Sequence, residues 1–228
     1  MNINKYIASA GIASRRGADE LIKQGKVRIN EKLAIPIHKV GPNDRVFVDG
    51  KEIKPINKKV YLAFNKPVGV ICTTDPNSPN NIIDHIKYPT RIFPIGRLDV
   101  NSSGLILLTN DGDLAQEVMK GKKIEKEYVV QIDKSLDEAM LTGLANGSLV
   151  IDGFPVLPAK VTKLSDRSFD IVIVEGRNRQ IRRMCEAFRT NVTKLERVRI
   201  GQIELKGIKV SKYIEIDEQE IKKLLTNK

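Results

Sequence analysis

The chain has little sulfur and few aromatic rings, since its 228 residues include two cysteines, two histidines and no tryptophan. Cys72 and Cys185 lie far apart and form no CxxC pair, so we expect a reduced protein of the cytoplasm. Because His38 and His85 are the only histidines, a Cys/His zinc cluster is excluded and a Ser-His-Asp triad has little to draw on. Any chemistry must therefore rest on other residue types.

Long hydrophobic runs are also missing. The longest apolar stretches, at residues 105–108 and 171–174, are far too short to cross a bilayer, and no secretory signal is visible. We therefore expect no membrane partner. Residues 1–18 contain no acid but carry Lys5, Arg15 and Arg16, a composition shared by organellar transit peptides and folded basic modules.

Basic residues are in clear excess. The net charge is +11 and the pI is about 9.6, which indicates a polyanionic partner. Nucleic acid and an anionic membrane both fit this charge, and the absence of long apolar runs makes the membrane the weaker interpretation. Residues 1–59 hold 13 Lys and Arg against 6 Asp and Glu, and residues 177–199 hold eight basic residues against two acidic ones. The hydrophobic content of 41% is ordinary for a globular protein, so we expect this charge on a folded chain.

Local signals in the first quarter of the chain predict two short helices and a small sheet. Gly11 ends the first helix, Ser14 is the N-cap of the second, and Gly25 ends it. A strand follows at residues 26–29. Residues 45–53 predict a hairpin, because Asp49-Gly50 suits a tight type I′ turn.

The rest of the chain mixes strands and helices irregularly. Strands are predicted at residues 60–64, 68–73, 105–109, 127–132, 160–164, 169–174 and 192–199. Helices are predicted to start near Asp113, Asp137, Arg179 and Glu218. Without a regular βαβ alternation, the fold class is α+β with a largely antiparallel sheet. We expect a small helical/β domain at residues 1–48, a linker at 49–59 and a larger domain at 60–228.

The N-terminal basic residues follow the second predicted helix and the strand after it. They are Arg15, Arg16, Lys23, Lys26 and Arg28. On composition alone, a phosphate-binding surface and a solvated charged face are equally good interpretations. Residues 4–7, 11–16 and 25–30, however, resemble the S4-type RNA-binding domain over residues 2–48. The resemblance implies an RNA partner and explains the acid-free N-terminus better than a transit peptide does.

The most informative stretch is residues 93–112, which read FPIGRLDVNSSGLILLTNDG. Taken alone, it is a strand, a polar loop and a buried strand, in which Asp99 would be a structural loop carboxylate. Together with residues 65–69, 126–128 and 176–184, it resembles the motifs of the ribosomal small-subunit/large-subunit (RsuA) family of RNA pseudouridine synthases. Residues 81–84, 91–95, 184–186 and 194–197 are most similar to a large-subunit type.

The resemblance implies that the chain isomerises a specific uridine of ribosomal RNA to pseudouridine. The reaction needs no redox step or group donor, so no cofactor or metal is expected. Asp99 would act on the ribose of a flipped-out nucleotide, either by attacking the anomeric carbon or by removing a ribose proton. Arg182 would hold Asp99 charged through a hydrogen bond, although contact with a phosphate is the alternative. Tyr128 would stack on the uracil. Taken without the resemblance, Tyr128 is interpreted as a half-buried tyrosine of a strand.

The remaining expectations concern the surroundings of Asp99. Arg97 would fill the space that the flipped base leaves, and Lys66 would shape the pocket floor. Leu98 and Ile181 would form an apolar wall that excludes water. Phosphate contacts are expected from Arg177, Arg179 and Arg183. Asn191, where a glycine is expected, would end the preceding helix in the left-handed conformation.

Three other functions compete with that of a pseudouridine synthase. A non-catalytic rRNA-binding or ribosome-assembly factor would keep the basic module but would not need Asp99. An RNA methyltransferase would need a glycine-rich nucleotide loop, and no GxGxxG is present. A zinc-dependent base deaminase lacks its ligands. For the oligomeric state, we expect a monomer.

Overall fold

The computed structural model describes residues 1–120 and 124–226, which divide into two units. The first unit comprises Met1–Val60 together with the short segments Tyr88–Ile92 and Asn110–Gly112. The second unit contains the rest of the described chain. No helix of the described residues is long and apolar enough to span a bilayer.

The structure confirms an α+β fold. The helices are α1 (Ile3–Ser9), α2 (Arg15–Lys23), α3 (Ile82–Ile86), α4 (Gly112–Lys120), α5 (Glu138–Ala145), α6 (Gln180–Glu186) and α7 (Glu218–Thr226). The strands are β1 (Val27–Ile29), β2 (Lys32–Leu33), β3 (Val46–Val48), β4 (Lys51–Ile53), β5 (Tyr61–Lys66), β6 (Phe93–Ile95), β7 (Ser103–Thr109), β8 (Lys126–Ile132), β9 (Val150–Ile151), β10 (Phe154–Pro155), β11 (Lys160–Ser165), β12 (Ser168–Ile173), β13 (Val192–Ile200), β14 (Ile203–Glu204) and β15 (Tyr213–Glu215).

The first unit packs α1 and α2 with a sheet in the strand order β2-β1-β3-β4. The predicted caps are confirmed: the Ser14 Oγ accepts a hydrogen bond from the Gly17 N–H at 3.0 Å, and Gly25 has φ +70° just after α2. Asp49 and Gly50 have φ +47° and +77°, as a type I′ turn requires. Local sequence signals therefore account for most of this unit.

The second unit is built on a large, largely antiparallel sheet. Its strand order is β11-β12-β8-β13-β7-β5-β15, with β6 paired to β7 and β14 paired to β13. Only the β7–β13 pair among these described strands is parallel. Helices α4 and α7 cover part of the sheet with Leu114, Val118, Ile221 and Leu224. These helices bury the apolar side chains of β5 and β7.

Two predictions of local structure are wrong. Residues 68–73 form a loop with a single bridge, Ile71 to Asn81, because the backbone turns at Gly69 with φ +90° and does not continue as a strand. After α6 the left-handed residue is Arg189 (φ +55°) and not Asn191. The Asn191 side chain instead donates to the Asp133 carboxylate at 2.7 Å, and this contact sets its conformation.

The other predicted strands and helix starts are present, with ends shifted by one or two residues. Helix α3 and the short strands β2, β9, β10, β14 and β15 were not predicted, whereas β6 is the strand predicted at the start of residues 93–112. These elements have two to five residues, too few to display a hydrophobic period.

Candidate active site

A cavity of about 780 Å³ opens in the second unit, beside the sheet. Tyr128 of β8 and Arg197 of β13 line it from the sheet, where the two residues face each other across the strand pair. The loop between β6 and β7 supplies Asp99. The segment that leads into α6 supplies the opposite side. Polar and charged side chains that line the cavity are Thr74, Arg97, Asp99, Ser102, Lys126, Tyr128, Glu175, Arg177, Asn178, Arg179, Gln180 and Arg197.

Backbone hydrogen bonds hold the loop that carries Asp99. The Asp99 carbonyl accepts from the Ser102 N–H at 3.0 Å, which closes a turn just before β7. The Val100 carbonyl accepts from the Gly69 N–H at 2.8 Å. The Leu98 N–H donates to the Cys72 Sγ at 3.4 Å. The loop is thus fixed on both sides of Asp99, while the carboxylate itself stays partly exposed at the cavity.

Gly104 brings this loop against β13. It has φ +101°, and a Cβ there would lie 2.3 Å from the carbonyl oxygen of Arg197. Only glycine permits both the backbone conformation and the approach. The parallel register pairs Gly104 with Arg197, so the start of β7 is held beside the strand that lines the cavity.

Arg182 contacts the backbone of the Asp99 loop. It is 8% exposed, and its Nη2 donates to the Asn101 carbonyl at 2.7 Å while its Nη1 donates to the Val192 carbonyl at 3.0 Å. The expected hydrogen bond to Asp99 is not formed among the described residues. Burial lowers the pKa of Arg182, and the neighbouring Asp99 opposes that shift. Arg182 therefore supports the loop two residues beyond the carboxylate.

Lys66 lies outside the cavity lining and is fully buried. Its Nζ donates to the carbonyls of Pro67 and Val70, each at 3.0 Å. Burial lowers the pKa of Lys66, and the fields of Cys72 and Asp99 oppose this. Lys66 braces the segment whose Gly69 holds the Asp99 loop.

Tyr128 and Arg197 form a buried pair. The Arg197 Nη1 donates to the Tyr128 hydroxyl at 3.5 Å, and the guanidinium carbon lies 6.0 Å from the ring centroid. The Arg197 Nε donates to the Leu105 carbonyl at 2.7 Å. Sequence reasoning did not select Arg197 as a site residue. The available signal was its position two residues after Leu195 on a predicted strand, which places both side chains on one face.

Comparison with known proteins decides the family. The family model for RNA pseudouridylate synthase matches residues 60–187, and the S4 domain matches residues 1–46. This chain belongs to the RNA pseudouridylate synthase family. It is 43% identical over 224 residues to the dual-specificity RNA pseudouridine synthase RluF of Escherichia coli (strain K12), covering 97% of this chain and 77% of RluF.

Two further relatives agree with this assignment. The chain is 39% identical to the ribosomal large subunit pseudouridine synthase B of Bacillus subtilis (strain 168), covering 97% of this chain and 94% of that protein. A crystal structure of a pseudouridylate synthase superposes with a TM-score of 0.70 at 28% identity, over 98% of this chain and 99% of that one. The predicted family and its S4 domain are confirmed. The predicted similarity to a large-subunit type is confirmed by the match to RluF, the type F enzyme. The chain is an isomerase, and the non-catalytic alternative is not supported.

The remaining arginines of the synthase differ in their freedom to bind RNA. Arg97 and Arg179 are exposed at the cavity. Arg177 lines the cavity, but it donates to the carbonyls of Ile151, Phe154 and Pro155 and also pairs with Glu175. Arg177 thereby anchors the β9–β10 hairpin.

Arg183 does not line the cavity, because both of its Nη atoms pair with the Asp152 carboxylate at 2.8 Å. Leu98 and Ile181 are 8% and 3% exposed, and both line the cavity. Their place is compatible with an apolar wall, while the exclusion of water stays a prediction.

The five basic residues selected for RNA binding in the S4 unit are all exposed. They are Arg15, Arg16, Lys23, Lys26 and Arg28. Two of them make local contacts, since Lys23 pairs with Glu20 at 2.8 Å and Arg28 donates to the Glu31 carbonyl at 3.0 Å. Exposed pairs of this kind contribute little to stability, so these cations stay available to a polyanion.

Proposed function

We propose that this synthase converts a specific uridine of ribosomal RNA to pseudouridine, and that the RNA is that of the large subunit. One observation carries the proposal, namely that the Asp99 carboxylate and the Tyr128 ring line one cavity together with the exposed Arg97 and Arg179. The similarity to the RNA pseudouridine synthase RluF supports an RNA substrate, and the similarity to the ribosomal large subunit pseudouridine synthase B of Bacillus subtilis supports large-subunit RNA. We also propose that the chain acts in the cytoplasm as a monomer and needs no metal or cofactor.

The reaction starts at the ribose. The bond between uracil N1 and ribose C1′ breaks, and Asp99 either attacks C1′ or removes a neighbouring ribose proton. Arg182 is a positioning residue in this proposal, because its contact with the Asn101 carbonyl orients the loop that carries Asp99. The base then rotates and C5 bonds to C1′, while the Asp99–C1′ bond breaks in the first route or Asp99 returns its proton to the ribose in the second. The C5 proton is lost as N1 gains one.

The target nucleotide reaches the cavity by leaving its stack. Arg97 is exposed beside Asp99 and fills the vacated space, where it contacts phosphates or the orphan base. Tyr128 supplies the stacking surface. Leu98 and Ile181 exclude water from the reacting atoms.

RNA binding is divided between the two parts of the chain. Residues 1–48 form the RNA-binding module, residues 49–59 join it to residues 60–228, and the latter carry the chemistry. Exposed Arg179 at the cavity contacts a phosphate. Arg177 and Arg183 donate hydrogen bonds to Pro155 and Asp152. They contact a phosphate only through N–H groups that these bonds do not use.

The test is pseudouridine mapping on ribosomal RNA from a strain that lacks this gene. The RNA is incubated with the native protein or with Asp99→Asn, treated with carbodiimide and read by primer extension. We expect a new stop with the native protein alone, because the amide cannot act as nucleophile or base. Absence of a stop on both subunits' RNA, with RNA binding intact, would contradict the proposal.

A further inference from the structure

Arg197 is a buried cation with an unused donor. It is 4% exposed, and it has no ion pair with any carboxylate of the described chain. Its Nε and Nη1 are hydrogen-bonded, but its Nη2 is buried and has no hydrogen-bond partner among the residues that the structure describes. A buried unpaired charge is costly, so its retention in a cavity points to an anionic or strongly polar group that arrives with the substrate.

A second cation strengthens this reading of the cavity. Lys126 lines the same wall, and its Nζ donates to the Ile124 carbonyl at 3.2 Å. Burial lowers the pKa of Lys126, and the field of Arg197 lowers it further. Two cations beside Tyr128 make this wall of the cavity positive, whereas the Asp99 loop contributes the negative charge.

The chemistry of the proposed function places a negative charge near this wall. When the C1′–N1 bond breaks, its electron pair leaves with the base, and the uracil anion spreads its charge onto the carbonyl oxygens O2 and O4. This holds whether Asp99 attacks C1′ or removes a ribose proton. Charge therefore develops on the base, which stacks on Tyr128 in the proposed function and thus lies beside Arg197.

We infer that Arg197 is a catalytic residue that donates its free Nη2–H to a carbonyl oxygen of the departing uracil. The inference rests on the proposed function. The Leu105 carbonyl and the Tyr128 hydroxyl hold the guanidinium in place before the substrate enters. A fixed donor directed at developing charge stabilises the transition state more than the ground state.

The test compares Arg197→Gln with the native enzyme on two substrates under single-turnover conditions. One RNA carries uridine at the target and the other 5-fluorouridine, whose electron-withdrawing fluorine stabilises the departing base. The readout is loss of the original nucleoside after digestion. We expect R197Q to slow the uridine reaction about 100-fold and the 5-fluorouridine reaction about 10-fold, because a better leaving group needs less help.

Arg199→Gln is the matched control. Arg199 lies two positions further along β13, pairs with Glu125 and Glu127, and is absent from the cavity lining. Any loss of rate in R199Q should be the same factor on both substrates. Arg197→Lys keeps the positive charge but lacks the planar set of guanidinium N–H donors. If R197Q does not fold, the slowing of R197K on uridine RNA is compared with its slowing on 5-fluorouridine RNA instead.

Each outcome separates the two proposals. Equal slowing of both substrates by R197Q and R197K would show a structural role and overturn the inference. Unchanged rates with weaker RNA binding would show phosphate contact, which also overturns it. Absence of pseudouridine with the native enzyme would overturn the proposed function itself.

Discussion

At the scale of single residues, Asp99 is positioned through the backbone around it. Its own carbonyl closes a turn with Ser102, while Arg182 donates to the carbonyl of Asn101. Hydrogen bonds from a charged guanidinium are stronger than those between neutral groups, so the loop gains rigidity from one buried arginine. Within the described part of the chain no side chain forms a hydrogen bond or ion pair with the Asp99 carboxylate, which is available to the ribose in the proposed function.

Gly104→Ala tests the contact that brings the loop to β13. The new Cβ would collide with the Arg197 backbone at 2.3 Å and would be held at φ +101°. We expect a loss of about 3 kcal/mol or more in the free energy of unfolding, measured with urea. Gly207→Ala is the control, because Gly207 has φ +84° with no atom within 4 Å of its Cβ, and it should lose only about 1 kcal/mol.

Equal losses in the two variants would contradict the role given to Gly104. They would show that backbone strain alone, and not the close approach of β7 to β13, sets the cost.

At the scale of the strands, alternation divides charged side chains between the two faces of the sheet. Tyr128 pairs with Arg197 on the cavity side, and Glu127 pairs with Arg199 on the other. The register shifts between Arg197 and Arg199. Because of this irregularity, two arginines that are two residues apart lie on opposite faces of the sheet. One arginine thus meets substrate in the inferred mechanism, while the other neutralises carboxylates.

Asp170 of β12 makes this second face sensitive to pH. Burial and the adjacent carboxylate of Glu127 raise the pKa of Asp170 to about 6, and the field of Arg199 opposes this. Because the pKa of Asp170 in the folded chain exceeds the ordinary aspartate value of 3.8, its contribution to the free energy of unfolding is present below about pH 4 and is lost as pH rises to about 6. We compare the free energy of unfolding of Asp170→Asn with that of the native chain. This difference should rise by about 1 kcal/mol in favour of the variant from pH 4 to pH 7, a figure reduced for solvent screening.

The measurement is the free energy of unfolding of both chains at the two pH values. Asp166→Asn is the control, since Asp166 sits exposed at the adjoining turn in an ion pair with Lys163. Its difference from the native chain should not rise with pH. A flat difference for Asp170→Asn as well would contradict the raised pKa.

At the scale of the whole molecule, charge and chemistry occupy different parts of the sequence. The first 59 residues carry 13 of the 39 basic residues with few acids, and the cavity lies in the second unit. Attraction to RNA phosphates is sequence-independent and falls with salt, whereas the reaction depends on the geometry around Asp99. The two properties should therefore be separable by mutation.

Replacing Arg15 and Arg16 by alanine should weaken RNA binding without changing the single-turnover rate at saturating protein. If each arginine contacts one phosphate, the slope of log affinity against log salt should fall by about 2. The measurement is filter binding over a range of salt concentrations. The double variant Lys51→Ala/Lys54→Ala removes the same charge from exposed positions at β4, and it should leave the slope nearly unchanged. Equal changes in both would indicate a general charge effect only.

Local features of this protein followed from the sequence by itself. The N-cap at Ser14, the Asp49-Gly50 turn and the start of α5 after Asp137 depend on a few adjacent residues and their backbone preferences. The family motifs likewise select Asp99 and Tyr128, because both stand in short stretches of characteristic sequence.

Tertiary structure alone decided how distant segments meet. The parallel pairing of β7 with β13 joins Leu105 to Arg197 across 92 residues, and no local pattern determines which strands pair or in which register. The same applies to the hydrogen bond from Arg182 to Asn101, 81 residues apart, and to the irregularity that places Arg197 and Arg199 on opposite faces of the sheet. These contacts depend on packing and register over the whole sheet, so the contacts of Arg182 and the position of Arg197 could be read only from the folded chain.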